Sequence, residues 1–157
     1  MTMNRSNDLK DWGIAILRIA VGGIFVAHGA QKLFTFGIPG VAGLMGQLGI
    51  PFPTPSALAV TAAEFLGGLA LLAGFFTRLA SLPIAFSMVV AAATVHLKNG
   101  FFLPEGAEYV LTLLLASVAL LLTGSGALSV DRLLERRRVA ALPDQRGLPL
   151  SAATQRS

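Results

Sequence analysis

Residues 12–34 read WGIAILRIAVGGIFVAHGAQKLF. The run has the length a helix needs to cross about 30 Å of hydrocarbon, roughly 20 residues. Yet it holds Arg18, His28, Gln31 and Lys32. Ionisable side chains cost about 2.5–3.5 kcal/mol each at the centre of a membrane helix, so chains that keep them turn them inward. The stretch therefore predicts a membrane helix packed against others around a polar interior. It is too long for the apolar core of a signal peptide, and no cleavage site follows it.

Three more apolar runs follow, at about 55–76, 79–97 and 107–123. Glu64 lies in the middle of the second, His96 near the end of the third and Glu108 in the first turn of the fourth. The chain has 157 residues, 54% hydrophobic and 13% charged, with mean hydropathy +0.72. A soluble domain carries about 25% charged residues. The expected fold class is all-α: a polytopic membrane protein with four transmembrane helices in a bundle. Three segments are expected: an N-terminal tail (1–11), the four-helix domain (12–128) and a basic C-terminal tail (129–157). Cysteine is absent, which excludes thiolate relays, Fe–S clusters and cysteine zinc sites within this chain. Two histidines leave little room for haem or a metal centre, and no metal ligand set is assigned.

Charge sets the expected orientation. Arg5, Lys10, Arg18, Arg78, Arg132, Arg136, Arg137, Arg138, Arg146 and Arg156 fall on one side of a four-span chain, leaving only Lys32 and Lys98 of the 12 basic residues on the other. The positive-inside rule puts both termini in the cytoplasm. Trp12 is then an interfacial anchor on that side and Tyr109 on the other. The net charge of +4 gathers at span ends, which argues against nucleic acid. The Arg136-Arg137-Arg138 run suits anionic lipid headgroups. The tail opens amphipathic at Leu133 and Leu134, and its last dozen or so residues have a disordered composition.

In the first outer connection, Val41, Leu44, Met45 and Leu48 recur at i, i+3, i+4 and i+7, one apolar helical face. Pro39 suits a first turn, and Gly49 with Pro51 a stop. A short interfacial helix is expected there, with a packed loop as the alternative.

At 100° per residue, Arg18, Gly22, Phe25, Gly29 and Lys32 share one face of span one, with His28 on its edge. Ala57, Glu64, Gly68 and Leu71 share a face of span two. Small residues on these faces suit close packing in lipid. Side chains tilt toward the N-terminus of their helix. His28 and Lys32 therefore lean toward Glu64, and Arg18 leans away, free to snorkel to headgroups. Glu64 and His28 are the candidate proton-handling pair. Lys32, Gln31, His96, Asn99, Glu108 and Arg18 are candidate binding residues, and His28, Gln31, Lys32, Glu64, His96 and Glu108 are expected to edge one cavity open to the outer side. The bland alternatives are a Glu64 ion pair that only fixes helix register, an interfacial His96 and a snorkelling Lys32.

Four blocks carry a resemblance: LRIAVGGIFVAHGAQKLF (17–34), AAEFLGGLALLAGFFTRLA (62–80), HLKNGFF (96–102) and EYVLTLLLASVALLLTGSGALSVDRLL (108–134). In order and spacing they resemble the DoxX family of small bacterial membrane proteins, over about 12–134. The departure is Val110, where the family usually has proline. The resemblance implies a four-helix protein of the bacterial inner membrane linked to respiratory redox chemistry. Related proteins serve as a membrane subunit of thiosulfate:quinone oxidoreductase, and others act in thiol and oxidative-stress complexes. By motif, His28, Gln31, Lys32, Glu64, His96 and Glu108 are the family's polar positions. The leading expectation is an oxidoreductase membrane subunit that binds quinone or a similar molecule and takes electrons from a soluble redox partner. A scaffold for soluble redox enzymes and a small-solute or proton transporter are the alternatives.

The charge count makes a direct prediction. Reporter fusions at Asp8 and Asp144 should read cytoplasmic and one at Gly43 external; an external reading at Asp144 would require an odd number of spans.

Overall fold

The computed structural model describes residues 5–140, with side chains for 8–139. Within them the chain forms helices joined by turns and loops, with no strand. Helix α1 (Arg5–Ala30) continues through a π-helical turn (Gln31–Phe36) and breaks at Gly37, whose φ of 65° only glycine adopts readily. Short helix α2 (Gly37–Gln47) follows, then α3 (Pro53–Ala73), α4 (Thr77–Ala91), α5 (Glu108–Thr123) and α6 (Val130–Ala140). α1, α3, α4 and α5 run up and down as a bundle. α1 packs on α3, α3 on α4 and α4 on α5, and α5 closes back on α1.

Local chemistry explains the breaks. Pro53 starts α3 at a position where its missing N–H is no loss. Gly74, at φ 67°, ends α3 in the left-handed conformation. Pro83 sits inside α4, and that helix ends in a π turn (Ala92–His96) and a 3₁₀ turn (Leu97–Asn99). α5 starts at Glu108, whose carboxylate suits the positive helix end, and Val110 is buried in its first turn.

Three helical stretches are long and apolar enough to cross a membrane: Asp8–Gln47, Pro53–Ala73 and Thr77–Asn99. α5 has 16 residues and coincides with the apolar run expected at 107–123; at 1.5 Å per residue it is about 24 Å long, short of the roughly 30 Å of a hydrocarbon core. Trp12 and Tyr109 are both exposed at opposite ends of the bundle, as anchors would be. α1 begins at Arg5, so the expected boundary between tail and domain at 11/12 falls inside a helix. The composition-based disorder of the last residues lies outside the described residues.

α2 exists, with the packed stripe displaced by three residues from the one expected, Val41 and Met45 being common to both. Its packed stripe is Ile38, Val41, Ala42 and Met45, set against Ala57 and Val60 of α3. Leu44 is 52% exposed. The stripe begins earlier because the helix starts at Gly37, directly after the π turn, which brings Ile38 into the face.

The faces expected for α1 and α3 are the ones in contact. Ala57, Thr61, Glu64, Gly68 and Leu71 are the buried residues of α3. Glycine makes the approach possible. A Cβ on Gly29 would lie 2.5 Å from the Phe65 nitrogen, and one on Gly68 2.7 Å from that of Val26. One on Gly22 would lie 3.0 Å from the Gly68 oxygen. Lipid offers no hydrophobic drive between helices, so such close packing holds them together. At the α4 contact, the Ile84 side chain reaches Gly67. Val21, Phe25, Leu71, Ile84, Met88, Leu113 and Leu120 fill the centre.

Gly29→Ala should therefore lose about 3 kcal/mol or more, the upper end for overpacking, because the obstacle is backbone. Gly23→Ala meets nothing within 4 Å and should leave stability unchanged or slightly raised. Thermal unfolding of the purified proteins in one detergent compares the two.

Candidate functional site at the α1–α3 interface

Lys32 stands in the π turn that ends α1, and Glu64 at mid-length of α3. Antiparallel packing through Gly29 brings them together: Lys32 Nζ donates to Glu64 Oε2 as a salt bridge. The Glu64 side chain is 4% exposed and that of Lys32 22%. The carboxylate is thus inside the bundle while the ammonium keeps a way out. The π turn widens the helix where Lys32 must turn back toward α3, and such turns recur at functional positions. Phe34, in the same turn, meets Phe65 edge-on with ring centroids 6.1 Å apart.

Thr61 lies three residues before Glu64 on the same face, so their side chains are neighbours. Its hydroxyl is buried and has no hydrogen-bond partner among the described residues. Other buried helix hydroxyls behave differently. Ser81 and Ser117 each donate to the carbonyl one turn back, at 2.8 and 2.7 Å. The sequence reading passed over Thr61, although its spacing from Glu64 places it on the packed face.

The remaining polar residues divide into separate groups. His28 and Gln31 are exposed on α1, so Lys32 and not His28 is the partner of Glu64. His96 Nδ1 lies 3.0 Å from the Glu105 carbonyl oxygen. Glu108 Oε1 accepts from the Leu103 amide at 2.8 Å. These two fasten the loop between α4 and α5. Asn99 is exposed and donates to the Val95 carbonyl at 3.1 Å. The six residues expected around one cavity are therefore a buried pair, a loop clasp and two exposed side chains. Two open surface depressions lie at the other end of the bundle, around Phe76 and Asp131.

Arg18 does not snorkel. It is 1% exposed and donates to the carbonyls of Leu71 (2.6 Å), Leu72 (2.9 Å), Ala127 (3.4 Å) and Leu128 (3.0 Å). The guanidinium fork takes the open Leu72 carbonyl and shares that of Leu71 with the Gly74 amide, and it ties the end of α3 to the link between α5 and α6. Gly74 makes room for it, since a Cβ there would lie 2.5 Å from a guanidinium nitrogen. Nearby, Asp131 accepts from the amides of Phe76 (2.8 Å) and Thr77 (3.3 Å), capping α4. Arg132 pairs with Asp11. Nothing local in the sequence marks Asp131 as a cap for a helix more than fifty residues earlier.

The sequence profile of the DoxX family matches residues 13–97. The chain belongs to the DoxX family. It is similar to the Bacillus subtilis protein named "Putative oxidoreductase CatD", 35% identical over 82% of this chain and 90% of that protein. It is also similar to the Escherichia coli "Inner membrane protein YqjF", 33% identical over 82% of this chain and 97% of that protein. A third relative is the Mycobacterium tuberculosis "Uncharacterized membrane protein Rv3486", 32% identical over 81% of this chain and 84% of that protein. No solved structure matches the chain. As a DoxX protein it is a membrane protein, and the matched region contains both Lys32 and Glu64.

Breaking a buried pair strands a charge, at about 3–5 kcal/mol. Lys32 is partly exposed, so Lys32→Met should cost about 3 kcal/mol, the lower end. The double variant Lys32→Met/Glu64→Leu should recover most of it. Melting temperatures of the three proteins test this; a Lys32→Met protein as stable as the parent would mean that Glu64 is solvated after all.

Proposed function

We propose that this DoxX protein is the membrane-embedded subunit of an oxidoreductase system, with Lys32, Glu64 and Thr61 as its intramembrane site for quinone or a similar small redox-active carbonyl compound as substrate. The observation that carries the reading is the unequal burial of the pair: a carboxylate 4% exposed under an ammonium 22% exposed. The accessible ammonium leaves N–H donors that an arriving ligand can reach.

The residues fit a carbonyl ligand. Lys32 has three N–H donors and uses one on Glu64. Its others can meet a carbonyl oxygen arriving from the exposed side. Thr61 carries a further unused donor. Glu64 is the group able to take or release a proton beside that oxygen. A bound quinone supplies two-electron acceptor chemistry. This chain has no cysteine, so a thiol route for electrons must lie in a soluble redox partner or in the electron-donating substrate. The name of the Bacillus subtilis relative supports redox chemistry. His28 and Gln31, exposed on the same helix end, stand at the approach to Lys32.

The surroundings agree with this role. The printed name of YqjF supports a bacterial inner-membrane location, and the distribution of basic residues supports cytoplasmic termini. The exposed Arg136, Arg137 and Arg138 on α6 suit anionic headgroups. A scaffolding role would use the same end of the molecule: Leu133 and Leu134 are 52% and 46% exposed on α6 and offer a soluble enzyme a foothold.

Glu64→Gln decides between these readings. It preserves shape and an acceptor for Lys32 but cannot ionise. The variant should reach the membrane in parental amounts, bind a short-chain quinone by titration calorimetry in detergent, and lose proton-coupled turnover in the assembled complex. A stable, abundant Glu64→Gln protein with full activity would take Glu64 out of the chemistry.

A further inference from the structure

At the end of the bundle opposite Glu64, a depression of about 370 Å³ opens beside the first turn of α4. Arg78 and Asp131 both line it. They do not pair with each other. Among the described residues the ion pairs are Lys32–Glu64 and Arg132–Asp11, and neither Arg78 nor Asp131 has an opposite charge within 4.0 Å. A cation and an anion in one concavity, held apart, match a ligand that carries both signs.

We propose that this depression binds the headgroup of a membrane phospholipid bearing a phosphodiester and a primary ammonium, the phosphate on Arg78 and the ammonium on Asp131. The phosphate side has three supports. Arg78 is exposed, and its guanidinium lies over Gly124, whose absent Cβ would meet Arg78 Nε at 3.3 Å. The amides of Arg78 and Leu79 belong to the first turn of α4, where a helix leaves its N–H groups without carbonyl partners and favours anions. Thr77, 1% exposed, belongs to the wall of the depression, and its buried hydroxyl has no hydrogen-bond partner among the described residues. The ammonium side rests on Asp131. Its two oxygens accept one amide each, from Phe76 and Thr77, and each keeps a lone pair for an N–H donor. An anionic lipid would meet that carboxylate with the wrong sign, and a quaternary ammonium would have no N–H to give it.

The location suits a lipid. The tight turn between α3 and α4 lies at a bundle end, where headgroups lie. Phe76 and Leu79, 58% and 66% exposed beside the depression, offer acyl chains an apolar path. The site is independent of the redox reading of Lys32 and Glu64.

The test uses the full-length protein in phosphatidylcholine bicelles. These are doped in turn with phosphatidylethanolamine or phosphatidylglycerol, and retained lipid is counted by native mass spectrometry. The protein should retain phosphatidylethanolamine about tenfold better than either alternative, the scale of one charge-assisted hydrogen bond. Arg78→Gln should lower retention of all three lipids about tenfold, because each carries the phosphodiester, with an unchanged melting curve, since Arg78 caps nothing. Asp131→Asn, checked for folding by circular dichroism, should bring phosphatidylethanolamine down to the phosphatidylcholine level. Equal retention of the three lipids by the parent, or an Arg78→Gln protein that retains lipid as the parent does, would overturn the proposal. So would a preference for phosphatidylglycerol, which would mean a simple anion site, or displacement by millimolar inorganic phosphate, which would mean a site for the free ion.

Discussion

The close approach of α1 to α3 is the constraint on which the rest of the structure depends. Gly22, Gly29 and Gly68 let two backbones come within the distance of a missing Cβ. In lipid that contact replaces the hydrophobic drive that holds soluble helices together. It also sets the register of both polar ends of the interface. With Gly29 against Phe65, Lys32 falls opposite Glu64. With Gly22 against Gly68 and Leu72, Arg18 falls under the carbonyls of Leu71 and Leu72. The two pins differ in kind. Lys32–Glu64 joins two side chains and stays open on one side. Arg18 is closed in, and its partners are backbone carbonyls, which carry no net charge to be neutralised.

This difference separates the chemistry of the two ends. The Lys32 end has an accessible ammonium, a buried carboxylate and an unpartnered hydroxyl, three groups that can act on a ligand. The other end is a set of caps. Arg18 closes α3, Asp131 closes α4 and Arg132 joins Asp11, so α6 is tied back to the helices before it. Fastened in this way, α6 presents its arginines at a fixed place beside the bundle. His96 and Glu108 do the equivalent service at the Lys32 end by holding the loop between α4 and α5.

Burial follows the same logic. Polar side chains on the packed faces either return a hydrogen bond to their own helix, as Ser81 and Ser117 do, or find a partner across the interface. Thr61 and Thr77 do neither. One lies beside Glu64, the other beside the depression at Arg78. An unpaired buried hydroxyl costs about 1–3 kcal/mol in a low-dielectric interior.

Much of the fold was legible in the chain itself. Hydropathy and helical periodicity are local properties, and they mark the helices, the packed faces of α1 and α3 and the helix in the connection between them. The faces came out as read because the glycines that permit contact share the periodicity of the residues that make it. The start of α2 was not legible in the same way, because it follows a π turn and brings Ile38 and Ala42 into the face beside Val41 and Met45. Choosing Lys32 over His28 as the partner of Glu64 needed the actual crossing of two helices, since both residues lean the same way from adjacent turns. The fates of Arg18, His96, Glu108 and Asp131 were decided only in three dimensions. Each of them bonds backbone groups of distant segments or loops, and sequence spacing carries no record of which carbonyls and amides a fold leaves unsatisfied. The sequence by itself determined where the polar residues sit along the helices; the tertiary structure decided which of them meet, because that depends on how closely the backbones approach.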